Sequence, residues 1–402
     1  MRIAFMDPNP VAGGIVRFSC NLAAALCKID PGITVTFFTA EVNYISNRDL
    51  FTGYRGVFST RILKSTKKTY TGTMVTDVAI MRLIGTSRAE LQKKEIYMLT
   101  KDYDAVFFTN AHAMEFIKVK PPSFATFHDL LWKYQFGMPL FSASFVSMMD
   151  DQIRQWLQKT RIIVPTPFVK SEVLRFFPDS PHDIEVVYHS NFAQKSEPSP
   201  EKDAGIIRSL GIEKDYILYP CHIMPHKNHQ SLFCAFNKLM QSKEFSDRYI
   251  LVLTGSGTDH FKYGKSTPLG LSLGYKDDYD TLGLGYISNF AVDAVVRNAS
   301  LVISTSLYEA GSGPALDAWI NEVPVIISDI EPHRDQLRHF GIECHVFDPT
   351  DPNEIKDKMA FALNNLDKLK AQSVTASAKF VEYNWEVVGR SYLEIFRNKQ
   401  IE

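Results

Sequence analysis

The chain has little cysteine, no long apolar run and almost no net charge, and each lack removes a class of protein. Its five cysteines in 402 residues, Cys20, Cys27, Cys221, Cys234 and Cys344, are scattered, odd in number and never spaced C-x-x-C. That pattern speaks against a disulfide framework and a zinc ribbon, and for a reducing compartment. No stretch of about 18 apolar residues occurs, so no segment is expected to span a bilayer. The opening MRIAFMDPNP carries a single Arg and a strand-length apolar run closed by Asp7 and Pro8, too short for a signal-peptide core; a cytoplasmic protein, at most peripheral to a membrane, is expected. Lys plus Arg number 44 against 45 Asp plus Glu, for a net charge of -1. The balance removes the electrostatic case for a nucleic-acid partner, so any anion site must be local.

What is present is a repeated alternation of short apolar runs with amphipathic stretches, the pattern of parallel sheets covered by helices. The first half offers RIAFM, TVTFFTA, AVFFTN, FATFHD, RIIVPT and IEVVYHS. The second offers YILYPC, YILVLTG, TLGLGYI, SLVISTS, VPVIISD and ECHVF. Between the first two runs, Val16, Cys20, Ala23 and Cys27 recur at helical spacing, which turns both cysteines toward a core. A chain of this length is expected to form two domains. The Pro- and charge-rich NFAQKSEPSPEKDAG marks the join. The expectation is an α/β protein of two doubly wound, Rossmann-like domains, 1–195 and 214–385, with a linker over 196–213 and the carboxyl ends of both sets of strands facing a central cleft.

Between the second and third runs, residues 50–76 hold Arg55, Arg61, Lys64, Lys67 and Lys68 without an acid, interleaved with Phe51, Tyr54, Phe58 and Tyr70. A solvated loop is the favoured reading. Peripheral contact with anionic lipid, or with a charged acceptor, is the other.

PCHIMPHKNHQ, residues 220–230, asks whether it binds a metal or an anion. Zinc is disfavoured: Cys221 and His222 are adjacent at a strand end and project oppositely, Pro225 interrupts any helix between His222 and His226, and no second ligand pair lies near. For an anion the context fits better. YILYPC is a strand, Asn228 is an N-cap candidate, and Leu232, Phe233, Phe236, Leu239 and Met240 give the next helix its apolar face. Lys227 then sits at a helix N-terminus, where amide N–H groups and an ammonium suit phosphate, although a surface lysine in a loop is an equal reading of this segment alone. In TSLYEAGSGPALDAW, residues 305–319, Gly311, Ser312 and Gly313 leave amides approachable and Pro314 suits a first helical turn. Glu309 and Asp317 flank this second cradle. Each alone reads as an exposed acid; together they could accept hydrogen bonds from sugar hydroxyls around a diphosphate.

These segments, with VLTGSG, LGYISN and the N-terminal GGIVRF, resemble the retaining glycosyltransferases of family 4 (group 1), over nearly all of the second half and at landmarks of the first. The resemblance implies the GT-B architecture and a terminal helix, 386–402, packing back on the first domain. It implies that Lys227 holds the diphosphate, that Glu309 contacts the donor sugar, and that Asp317 stands where a glutamate holds the ribose. Gly311, Ser312 and Gly313 would offer amides. His128 of TFHD would lie beside the transferred sugar, Gly14 near phosphate and acceptor, and Ile287 and Asn289 along the base. Asp317 is one methylene shorter than the family's glutamate. His226 and His222 stand where arginines are common, which puts pH dependence of donor binding in play.

The expected chemistry is metal-independent transfer of a hexosyl unit from GDP-mannose or a UDP-hexose to a glycan or lipid-linked hydroxyl, with retention, as in polysaccharide biosynthesis; mannose is favoured by analogy only. No resident cofactor is expected. A sugar-nucleotide epimerase and a non-catalytic sugar-nucleotide-binding subunit are the alternatives. An NAD enzyme is disfavoured because AGGIVRFS, even with Glu41 after it, lacks G-x-G-x-x-G. The D-x-D of Asp278 and Asp280 lies in a polar insertion and reads as a hydrated loop.

Overall fold

The computed structural model describes residues 1–8, 14–66, 88–134, 141–179, 184–192, 199–261 and 281–398. Two compact units divide the chain: Met1–His189 with Trp385–Glu402, and Ser190–Asn384.

The first unit is built on a parallel sheet of β1 (Arg2–Asp7), β2 (Thr34–Thr39), β3 (Ser59–Ile62), β4 (Ala105–Phe108), β5 (Ser123–Thr126), β6 (Arg161–Val164) and β7 (Glu185–Val186), in the order β3-β2-β1-β4-β5-β6-β7. Its central strands are apolar along their length because helices cover both faces: Ile3 to Met6 and Ala105 to Phe108 are fully buried. The order reverses between β1 and β4, where Ile3 pairs with Ala105 on one side and Val35 on the other. Helix Gly14–Ile29 buries Val16, Cys20 and Ala23, whereas Cys27 is only half-buried.

Residues 50–62 are not the solvated loop expected of them. They continue helix Arg48–Gly53 and supply the edge strand β3. The cause is their aromatics: the rings of Phe51 and Phe58 pack on Phe37 of β2, Tyr54 packs on Phe58, and the Tyr54 hydroxyl donates to Asn21. Phe51 and Phe58 are thereby buried, and Tyr54 is half-buried. Lys67, Lys68 and Tyr70 lie outside the described residues. Among the described residues no helix is long and apolar enough to cross a membrane.

Helix Trp385–Arg397 belongs to this first unit and lies along Gly14–Ile29. Gly389 permits the approach, since a Cβ there would stand 2.7 Å from Ile29 Cδ1. Ion pairs Lys28–Glu386 (2.5 Å) and Arg397–Asp30 (2.8 Å) flank the contact.

The second unit has the parallel order β10-β9-β8-β11-β12-β13, from β8 (Asp215–Pro220), β9 (Tyr249–Thr254), β10 (Thr281–Gly283), β11 (Leu301–Ser304), β12 (Val325–Ser328) and β13 (His345–Phe347). Its order reverses between β8 and β11, paired at Ile217–Leu301 and Leu218–Val302. Within the stretch read as a linker, Pro200–Ser209 is a helix with Pro200 in its first turn and Glu201 and Asp203 favouring its positive end. Asp203 receives two 2.8 Å hydrogen bonds from Arg297, which tie this helix to helix Asn289–Arg297. Asp278 and Asp280 fall outside the described residues.

Candidate active site

Because β8 and β11 are neighbours, the loops leaving their carboxyl ends meet, and these loops carry Lys227 and Glu309. Lys227 Nζ donates to Glu309 Oε1 at 2.5 Å, with the two side chains 13% and 16% exposed. Ser306 Oγ donates to the same oxygen at 2.6 Å. Burial opposes the carboxylate's charge, yet Lys227, His226 and the Lys227 and Ser306 hydrogen bonds outweigh it and hold Glu309 down at about 2. Tyr219, fully buried on β8, fixes the two loops together: its hydroxyl donates to Lys227 O at 2.8 Å and lies 3.0 Å from Ser306 Oγ. Thr305 Oγ1 donates to Lys227 O at 3.2 Å, and the Leu307 amide to His226 O at 2.7 Å. Sequence reasoning passed over Tyr219, Thr305 and Ser306. The available signal was chemical: a core tyrosine needs a partner for its hydroxyl, and Ser304, Thr305 and Ser306 place three hydroxyls in a row at a strand end.

The helix entrance beside Lys227 differs from expectation. Lys227 closes a 3-10 turn, Pro225–Lys227, with its amide donating to Met224 O. Asn228 does not cap helix His229–Leu239 with its side chain; it is left-handed (φ 55°) and its Nδ2 donates to Pro349 O at 2.7 Å. Asparagine tolerates that conformation, so the residue turns the chain rather than capping it. Gly255 supports the same loop from β9: at φ 131° it lies so close that a Cβ would stand 2.6 Å from Cys221 C and from His222 N. Cys221 is buried with its thiol pushed up to about 12, chiefly by burial, and faces His229 Nε2 at 3.6 Å. His222 is exposed, and His226 is buried with its ring 6.0 Å from that of His222.

The second cradle is partly occupied by the protein itself. The Ser312 amide, expected to be approachable, donates to Gln336 Oε1 at 2.9 Å, and Ser312 Oγ caps the Ala315 amide at 3.3 Å. Gly311 remains in the loop and Gly313 opens helix Gly313–Ile320, where the Phe192 ring packs so closely that a Cβ would lie 2.8 Å from its Cε2. Asp317 is neither solvated nor uncommitted. It is buried, and its Oδ1 accepts the Phe192 amide at 2.6 Å. Ile287 is half-buried ahead of helix Asn289–Arg297, and Asn289 opens that helix behind the Ser288 cap.

In the first unit, Gly14 is exposed at the start of its helix. His128 follows β5 and is buried; Nε2 stands 2.8 Å from Thr109 O, beyond the neighbouring β4, so this nitrogen carries the proton. Burial and His112 lower its pKa to about 4. The ring is therefore neutral at ordinary pH, with Nδ1 as its remaining acceptor. Asp7, at the end of β1, is also buried, and burial raises it to about 7 against one hydrogen bond from Asn43.

Residues 206–379 match the family model described as glycosyl transferases group 1. An uncharacterized glycosyltransferase of Methanocaldococcus jannaschii is 21% identical over 249 residues, 60% of each protein, so the chain spans about 60% of the length of that curated relative. Among solved structures, sucrose-phosphate synthase of Thermosynechococcus elongatus is 16% identical with a TM-score of 0.70 over 98% of both chains. Anabaena HepE, solved in complex with UDP and glucose, is 14% identical with a TM-score of 0.67 over 99% of both. Likenesses of this extent show the fold: two parallel-sheet α/β units of the GT-B type.

Proposed function

We propose that the chain is a group 1 glycosyltransferase, a retaining hexosyltransferase of family 4, moving a hexosyl unit from a nucleoside-diphosphate sugar to an acceptor hydroxyl without a divalent ion. The observation that carries this reading is the meeting of Lys227 and Glu309 at the β8–β11 strand ends, the ligand position of open α/β sheets. The HepE complexes with UDP and with UDP-glucose support a uridine donor. GDP-mannose stands as the second donor to test.

As the glycosidic bond breaks, negative charge grows on the leaving diphosphate. Lys227 exchanges Glu309 for that diphosphate, and the amides of Gly311 and Gly313 add fixed dipoles, a form of preorganised electrostatics. Glu309, kept ionised, then accepts from hydroxyls of the donor sugar. His222 and His226 line the same loop as Lys227, while Ile287 and Asn289 take the base. Asp317 enters this reading as the anchor of Phe192. The family resemblance assigns Gly14 a role toward phosphate and acceptor, and the neutral His128 a role toward the transferred sugar. The departing phosphate oxygen takes the acceptor proton, on the same face that the new bond forms. A panel of GDP- and UDP-sugars in EDTA, followed by nucleotide release, tests this: release that depends on Lys227 supports it, and no release or binding with any donor defeats it.

A further inference from the structure

We propose that a cavity within the first unit seats the apolar body of the acceptor and holds its hydroxyl at His112 and Asp129. This rests on the transfer reading above and names the acceptor's chemical class. The cavity has a volume of about 540 Å³, well inside the range of small-molecule sites. Its walls come from helix Arg88–Thr100, the turns following β4 and β5, and helix Ala143–Lys159.

The lining is chiefly hydrocarbon and ring: Met114, Leu131, Trp132, Phe145, Met148 and Met149. Three methionines give a surface that adapts to irregular apolar shapes. The polar groups of the wall are mostly bonded to the wall itself. Lys93 pairs with Glu115 at 2.7 Å, Gln152 Oε1 accepts the Phe116 amide at 2.8 Å, and Gln92 Nε2 donates to Pro8 O at 3.3 Å. Even the Trp132 indole N–H is taken, by Asp150 at 3.1 Å. A bare oligosaccharide would therefore lose water at each hydroxyl and recover few partners, at about 1–3 kcal/mol for each group left unpaired.

His112 and Asp129 are the polar pair that faces an occupant: Asp129 Oδ1 accepts the Leu131 amide at 3.0 Å and, as a carboxylate oxygen, has capacity for a second donor. His112 is buried, stacks on Trp132 at 6.1 Å and 11°, and its Nδ1 accepts the amide of His128 at 3.2 Å. His112 Nε2 and Asp129 Oδ1 stand 3.9 Å apart, beyond direct hydrogen bonding. A hydroxyl between them bonds to both. The cavity thus fits an alcohol with a single hydroxyl on an aromatic or aliphatic body, and it adjoins the backbone that carries His128.

The test is titration of the full chain with 2-naphthol, geraniol and maltotriose, with nucleotide-sugar binding measured alongside. At least one of the first two should saturate about tenfold more tightly than maltotriose, and whichever does so separates an aryl from an isoprenoid source. Met148→Glu, which sets a charge on an exposed part of the rim, and Ala89→Trp, which fills the cavity from the facing helix, should each weaken that probe about tenfold while leaving nucleotide-sugar affinity unchanged. Maltotriose binding as tightly as both alcohols, no saturation by either alcohol, or alcohol binding untouched in both variants overturns the proposal. Alcohol binding that survives without any nucleotide-sugar binding defeats the transfer reading and leaves the cavity as an alcohol site.

Discussion

Lys227 Nζ stands 2.5 Å from Glu309 Oε1, an ion pair between loops that leave adjacent parallel strands. An ammonium held this way is already oriented. The cost is mutual dependence, because removing one member strands the other in a poorly hydrated place. Lys227→Ala should lower stability by about 3 kcal/mol, the lower end for a buried pair because both side chains retain some exposure. It should also cut turnover about 10²- to 10³-fold, as loss of one preorganised donor does elsewhere. The double variant Lys227→Met with Glu309→Gln separates the effects: chemical denaturation should show stability largely restored, while nucleotide release stays low. Equal recovery of both would mean the pair is only structural.

Asp7 predicts a pH signature of opposite sign to the histidines. Its folded pKa of about 7 lies above the ordinary aspartate value of 3.8, so between those values the native chain holds a proton that the unfolded chain has lost. Stability from this group is therefore full below about pH 4 and falls until about pH 7, by on the order of 4 kcal/mol. His128, lowered to about 4, and His229, lowered to about 3, pull the other way, adding stability as pH rises toward the ordinary histidine range. The informative quantity is thus a difference. Asp7→Asn should gain stability relative to the parent as pH rises from 4 to 7, read by urea unfolding at each pH. A constant difference would mean that Asp7 is ionised throughout.

Asp317 should behave as an anchor. Truncation to Ala leaves the Phe192 amide unpaired and should cost about 1–3 kcal/mol, with donor affinity changed less than about threefold. Asp317→Glu should destabilise too, since the longer side chain cannot keep the 2.6 Å bond unless the Phe192 segment shifts. Calorimetry with UDP-glucose and thermal unfolding measure the two quantities independently. A tenfold loss of donor affinity at unchanged stability would give the carboxylate to the ribose.

The strands were legible because both sheets are covered on two faces, so each strand is a continuous apolar run with nothing to confuse its period. β3 was not. It sits at an edge, reads STRI, and lies among cations, while the aromatics that bury it, Phe51 and Phe58, look the same in a sequence whether they meet lipid or Phe37. Lys227 and Glu309 could each be picked out by their loops, but their contact depends on β8 and β11 being neighbours, which no local pattern encodes. Ser312 shows the same limit. Its hydroxyl caps as a serine before proline-containing helices does, whereas the claim of Gln336 on its amide comes from 24 residues away.

His128 allows a final prediction about acid–base behaviour. Its Nε2–H is spent on Thr109 O, and burial beside His112 keeps the ring neutral down to about pH 4. A neutral imidazole with Nδ1 as acceptor can orient a hydroxyl but does not change charge near neutrality. The pH profile of kcat should therefore show no limb between pH 5 and 7 that disappears on His128→Gln, even though that variant lowers turnover by about 10-fold or more through lost orientation. If the parent has a limb near pH 6.5 that only the His128 variant removes, the ring is titrating as a solvated histidine, and both its tautomer and its place beside the sugar must be reassigned.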